Sequence, residues 1–119
     1  MTQKRISEIY SFLSLASMKR MTDEEKVALI RLLRKMKPLY TELQSAVDDA
    51  LAKAREETDD QQKVVELVNR AVEDIAIREC DIIIKTMTQE TFDRLCLSND
   101  WSFVQIDELA QELVKEKEN

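Results

Sequence analysis

Apolar residues recur along this chain at steps of three and four, in stretches separated by short polar breaks. That period puts them on one face of a helix. The first stretch is Ile9, Leu13 and Ala16, with Tyr10 and Phe12 beside them. Ser7 reads as its N-cap, which leaves residues 2–6, "TQKRI", as an extended lead-in; the stretch ends in the polar, basic "SMKRM". Thr22 opens the next element. In "TDEE", Thr22 and Glu25 are spaced as a capping box, and Asp23 and Glu24 oppose the helix dipole in the first turn. From there Leu29, Leu32, Leu33, Met36, Tyr40, Leu43, Val47, Leu51 and Ala54 form one long stripe, which predicts a helix over 23–57. Pro38 stands in its middle and lacks the N–H for the i−4 carbonyl. The stripe continues across it, so a kink is expected rather than two separate helices. "EETDDQQK" (56–63) is a polar turn, and Val64, Val65, Val68, Ala71, Val72, Ile75 and Ala76 predict a third helix over 61–80. A short turn between two helices makes them antiparallel neighbours.

The pattern then changes. Ile82, Ile83 and Ile84 are three consecutive β-branched residues, stiff at χ1 and better suited to a strand than to an exposed helix. A lone strand leaves its backbone groups without a ladder. Residues 82–86 are therefore predicted to pair with 2–6 as a small two-stranded unit; the alternative is that Ile82–Ile84 continue the third helix into the core. Thr88 caps a short helix carrying Phe92, Leu95 and Cys96, and "SND" (98–100) breaks it. Ser102 and Gln105 form a second capping box before the stripe Ile106, Leu109, Ala110, Leu113 and Val114. The expected fold is mainly α: one helical domain over 1–119, built on a long antiparallel hairpin with short flanking helices. No internal repeat interrupts it.

Composition narrows the chemistry. There is no Gly among 119 residues and only one Pro. Phosphate-cradling loops, Rossmann turns and tight primed hairpins all lean on Gly, so those classes are disfavoured. There is no His. That removes Ser-His-Asp triads, Cys₂His₂ zinc sites and the Glu-x-x-His motif of di-iron bundles. Cys80 and Cys96 form no C-x-x-C pair, and both sit in apolar sequence as small hydrophobes. No apolar run approaches the ~18 residues of a membrane span, and "SFLSLAS" is too short and polar for a signal peptide. The expectation is a cytoplasmic protein with no cofactor and no metal.

Charge is uneven. Residues 1–37 hold nine Lys/Arg against four acids, a net of +5, and the remaining 82 hold nine against twenty, a net of −11. Arg31, Arg34, Lys35 and Lys37 cluster there as candidate contacts for phosphate or an acidic partner. The competing reading is a solvated face that pairs with the acidic third helix. Carboxylate pairs such as Asp48–Asp49 and Glu73–Asp74 lack calcium-loop spacing and fall on wet helix faces. Trp101, at a loop–helix junction with Phe103, is either a partner anchor or a plug for the core. The long helix carries more stripe than its shorter partner can cover. That leaves Leu29 to Met36, or Leu51 to Ala54, as candidate partner contacts.

The segments "KRISEIYSFLSLASMKRMTDEEKVALIRLLRKMKPLYTELQ" and "TQETFDRLCLSNDWSFVQIDELAQELV" resemble small uncharacterised helical proteins of tailed bacteriophages and prophages. The resemblance spans most of the chain as a layout, without a chemical motif. It implies a phage-type assembly or accessory factor and assigns no catalytic residue. The sequence therefore points to a non-enzymatic protein-interaction module that binds itself, as a homo-oligomer, or another protein. The alternative is a small nucleic-acid-associated accessory protein using the basic segment 19–37.

Overall fold

The structure, a computed structural model, describes residues 1–116. Five helices account for most of them: α1 (Gln3–Leu13), α2 (Asp23–Glu57), α3 (Gln61–Ala76), α4 (Gln89–Leu97) and α5 (Phe103–Leu113). The chain divides into two compact units. Unit 1 is Met1–Ser11 with Met36–Asp81, and unit 2 is Phe12–Lys35 with Ile82–Asn119.

Within unit 1, α1 begins at Gln3, where an extended lead-in was expected. Thr2 accepts the Arg5 N–H at 3.2 Å and so takes the capping role assigned to Ser7. Ser7 is an interior position, and its buried hydroxyl donates back to the Gln3 carbonyl at 2.8 Å. The reason is the apolar period. Ile6 and Ile9 are both buried, and Gln3 one turn earlier shares their face with its side chain fully covered. α2 runs unbroken through Pro38, matching its expected limits. The turn is Thr58–Asp60, and Asp60 caps α3 by accepting the Gln62 N–H at 3.0 Å. Arg78, just beyond α3, lies 3.0 Å from Glu42 in α2. α3 stops at Ala76, four residues short of expectation.

The predicted pairing of 2–6 with 82–86 does not form. A single antiparallel bridge joins Thr2 to Glu79 in unit 1, built from Gln3 N–H to the Arg78 carbonyl and Cys80 N–H to the Met1 carbonyl. Residues 82–86 are neither strand nor helix. Once residues 3–6 are committed to α1, they cannot supply a ladder.

In unit 2, the Thr22–Glu25 capping box forms in both directions, at 2.8 and 3.2 Å. Thr88 caps α4, and Ser102 with Gln105 caps α5. Leu13, Met21, Leu29, Leu32, Ile84, Met87, Phe92, Leu95, Leu109 and Leu113 are buried. Met87 forms a single parallel bridge to Val114. Among the described residues no backbone adopts a positive φ. Without Gly, α3 and α4 end on αR residues, Ile77 (φ −88°) and Ser98 (φ −82°), instead of a left-handed cap.

Candidate protein-interaction surface

Two devices fix unit 2. The first centres on Glu25. Its carboxylate accepts the Thr22 N–H, the Thr91 hydroxyl at 2.6 Å, and two guanidinium N–H groups of Arg94, from Nε at 2.8 Å and Nη2 at 2.7 Å. The side chain is 11% exposed. The Arg94 bonds, with those from Thr91 and Thr22, hold its pKa at about 2, below the usual carboxylate range and against the opposing effect of burial. One residue thereby caps α2 and locks α4 against it. The second device is Asn99. Its side-chain oxygen accepts the Ser17 N–H at 2.8 Å, and its amide nitrogen donates to the Ser17 and Leu95 carbonyls at 2.9 Å each. Ser98 Oγ accepts the Arg20 N–H at 2.8 Å. The "SND" break thus pins the loop between α1 and α2.

This framework exposes apolar side chains. Leu15 (87%) projects from the pinned loop, and Leu97 (74%) from the end of α4. Phe103 (80%) and Val104 (62%) project from the first turn of α5. Trp101 is half-buried and packs on Phe12, with ring centroids 5.1 Å apart and planes tilted by 43°. Such a pair contributes roughly 0.5–1.5 kcal/mol beyond its area. Trp101 is thus partly covered by Phe12, while Phe103 and Val104 are exposed.

The expected contacts on the long stripe lie elsewhere. Leu29, in unit 2, is 2% exposed and faces Met87 and Thr91 across a small cavity of about 210 Å³. Met36 and Ala54, in unit 1, are buried, and Leu51 is half-buried. Leu29 and Met36 offer no free surface, because Leu29 is covered by the segment entering α4 and Met36 is fully enclosed. The large exposed apolar residues on the unit 2 part of α2 are instead Val27 and Ile30, on the face opposite Leu29. Arg31, Arg34 and Lys35 stand exposed in unit 2, and Lys37 stands exposed in unit 1.

The thiols are free and half-buried, and burial raises the Cys96 pKa, which disfavours the nucleophilic thiolate. Among the described residues, no group of three or more acids and thiols could hold a metal ion. No described helix is long and apolar enough to cross a membrane.

Periodicity missed Leu15, Leu97 and Val104. One signal was present: the α5 stripe begins at Ile106, so Phe103 and Val104 never belonged to the buried face. Comparisons with protein-family models, with curated proteins and with solved structures each find no match.

Proposed function

We propose that this chain is a non-enzymatic protein-interaction module, an assembly or accessory factor of the kind encoded by tailed phages and prophages. The observation that carries this reading is the concentration of large exposed apolar side chains in unit 2: Leu15, Leu97, Phe103 and Val104. These side chains come from three segments. The Asn99 and Ser98 bonds fix the loop of Leu15 against the end of α4, and the Ser102 cap fixes the first turn of α5. Exposed apolar surface on a rigid frame is the usual mark of a docking site.

The test is a photo-crosslinking amino acid placed singly at Leu15, Leu97 and Phe103, with exposed Lys53 in unit 1 as control. Protein adducts are expected from all three unit 2 positions and not from Lys53. Absence of any protein adduct at the three positions would overturn the reading.

A second reading rests on Arg31, Arg34 and Lys35, which are exposed on one helix with no carboxylate partner among the described residues. It makes the chain a nucleic-acid accessory protein, with phosphate contacts that weaken steeply with salt. Binding to a labelled oligonucleotide that is unchanged after all three become Glu would eliminate it.

A further inference from the structure

We propose that unit 2 pairs with a second copy of this chain, the outer face of α2 in one copy lying along the outer face of α5 in the other. This rests on the protein-interaction reading above and names its partner. The outer face of α2 presents Val27, Ile30, Arg31 and Arg34, spaced i, i+3, i+4 and i+7, all exposed. Leu29 and Leu32 on the opposite side are buried. The outer face of α5 presents Phe103, Val104, Asp107 and Glu108, also all exposed, opposite buried Leu109 and Leu113. Each face is therefore two apolar residues followed by two charges, basic on α2 and acidic on α5.

The spacing matches as well as the sign. In α2 the apolar pair is centred midway between residues 27 and 30, and the basic pair midway between 31 and 34. In α5 the corresponding centres lie between 103 and 104 and between 107 and 108. Both separations are four residues, about 6 Å of helix at 1.5 Å per residue. Laid parallel, the two faces bring apolar against apolar and arginine against carboxylate. Laid antiparallel, they would set arginine against Phe103, so the charge pattern selects one orientation. The charges are free to serve this role. Arg31, Arg34 and Glu108 have no ion pair among the described residues, and Asp107 accepts one hydrogen bond, from Gln111. An acidic protein with one strongly basic helix face carries the complement to that face on its own surface. This favours a second copy over an unrelated partner.

Sedimentation equilibrium on the full chain tests this, with three variants: Arg31→Glu/Arg34→Glu, Asp107→Lys/Glu108→Lys, and Arg31→Lys/Arg34→Lys. The wild type and the conservative lysine variant are expected to self-associate. Each charge-reversed variant alone is expected to do so at least about tenfold more weakly. An equimolar mixture of the two reversed variants is expected to recover association, because each then offers the other its complement. A wild type that stays monomeric would overturn the proposal, as would reversal without effect or a mixture that stays apart. None of these results would touch crosslinking of unit 2 to another protein, so failure of the self-partner and failure of the interaction reading are distinguishable.

Discussion

Glu25 concentrates more interactions than any other side chain described in unit 2, and its behaviour with acid follows from them. Its folded pKa of about 2 lies below the ordinary 4.5. A depressed carboxylate pKa contributes stability that is fully present above the unfolded value. That contribution is lost as pH falls through the folded one. Stability to urea should therefore decline between about pH 4.5 and pH 2, and Glu25→Gln should remove this part of the slope. Glu25→Ala, measured at neutral pH, should cost about 1–2 kcal/mol through the lost cap and the orphaned Arg94. A slope unchanged in Glu25→Gln would mean that other carboxylates govern acid unfolding. The capping role was legible in the sequence, because Thr22 and Glu25 are three residues apart. The link to Arg94 was not, because 69 residues separate the partners. Ser7 shows the opposite failure. A serine beside an apolar run reads as a cap, yet Thr2, five residues earlier, takes the role.

At the scale of elements, boundaries were legible where capping chemistry marks them. α2, α4 and α5 begin where Thr22, Thr88 and Ser102 place them. The segment 82–86 was misread because consecutive β-branched residues signal an extended backbone without saying whether a ladder partner is free. Ile84 is 4% exposed and Ile83 73%, so the in-and-out alternation of an extended chain is present without a sheet. Pro38 lies within the long helix on an exposed position. A proline in a helix interior costs roughly 3 kcal/mol relative to alanine. Pro38→Ala should therefore raise stability by about 1–3 kcal/mol, read as a higher midpoint in thermal unfolding followed by circular dichroism. A lowered midpoint would show that the surrounding packing depends on the local geometry Pro38 imposes.

For the whole molecule, a hydrophobic stripe states which face of a helix is buried and says nothing of what buries it. The sequence therefore suggested Leu29 and Met36 as spare surface, whereas both are enclosed. On α2 and α5 the large apolar residues left exposed, Val27 and Ile30 on the first and Phe103 and Val104 on the second, lie outside the stripes. The basic cluster was legible as charge, and the helical turn that sets Arg31 and Arg34 beside Val27 and Ile30 leaves all four exposed on one face. The central claim for these faces is that they pair one copy of the chain with another. Light scattering across a size-exclusion peak tests it most directly, with absorbance at 260 and 280 nm read on the same peak. Two apolar and two charged residues on each face make a small contact, at the weak end of specific interfaces, so loading should reach about 200 µM. The mass is expected to rise with concentration above the 13.9 kDa of one chain, with a protein-like absorbance ratio. A mass fixed at one chain throughout, or a larger species rich in 260 nm absorbance, would contradict the claim.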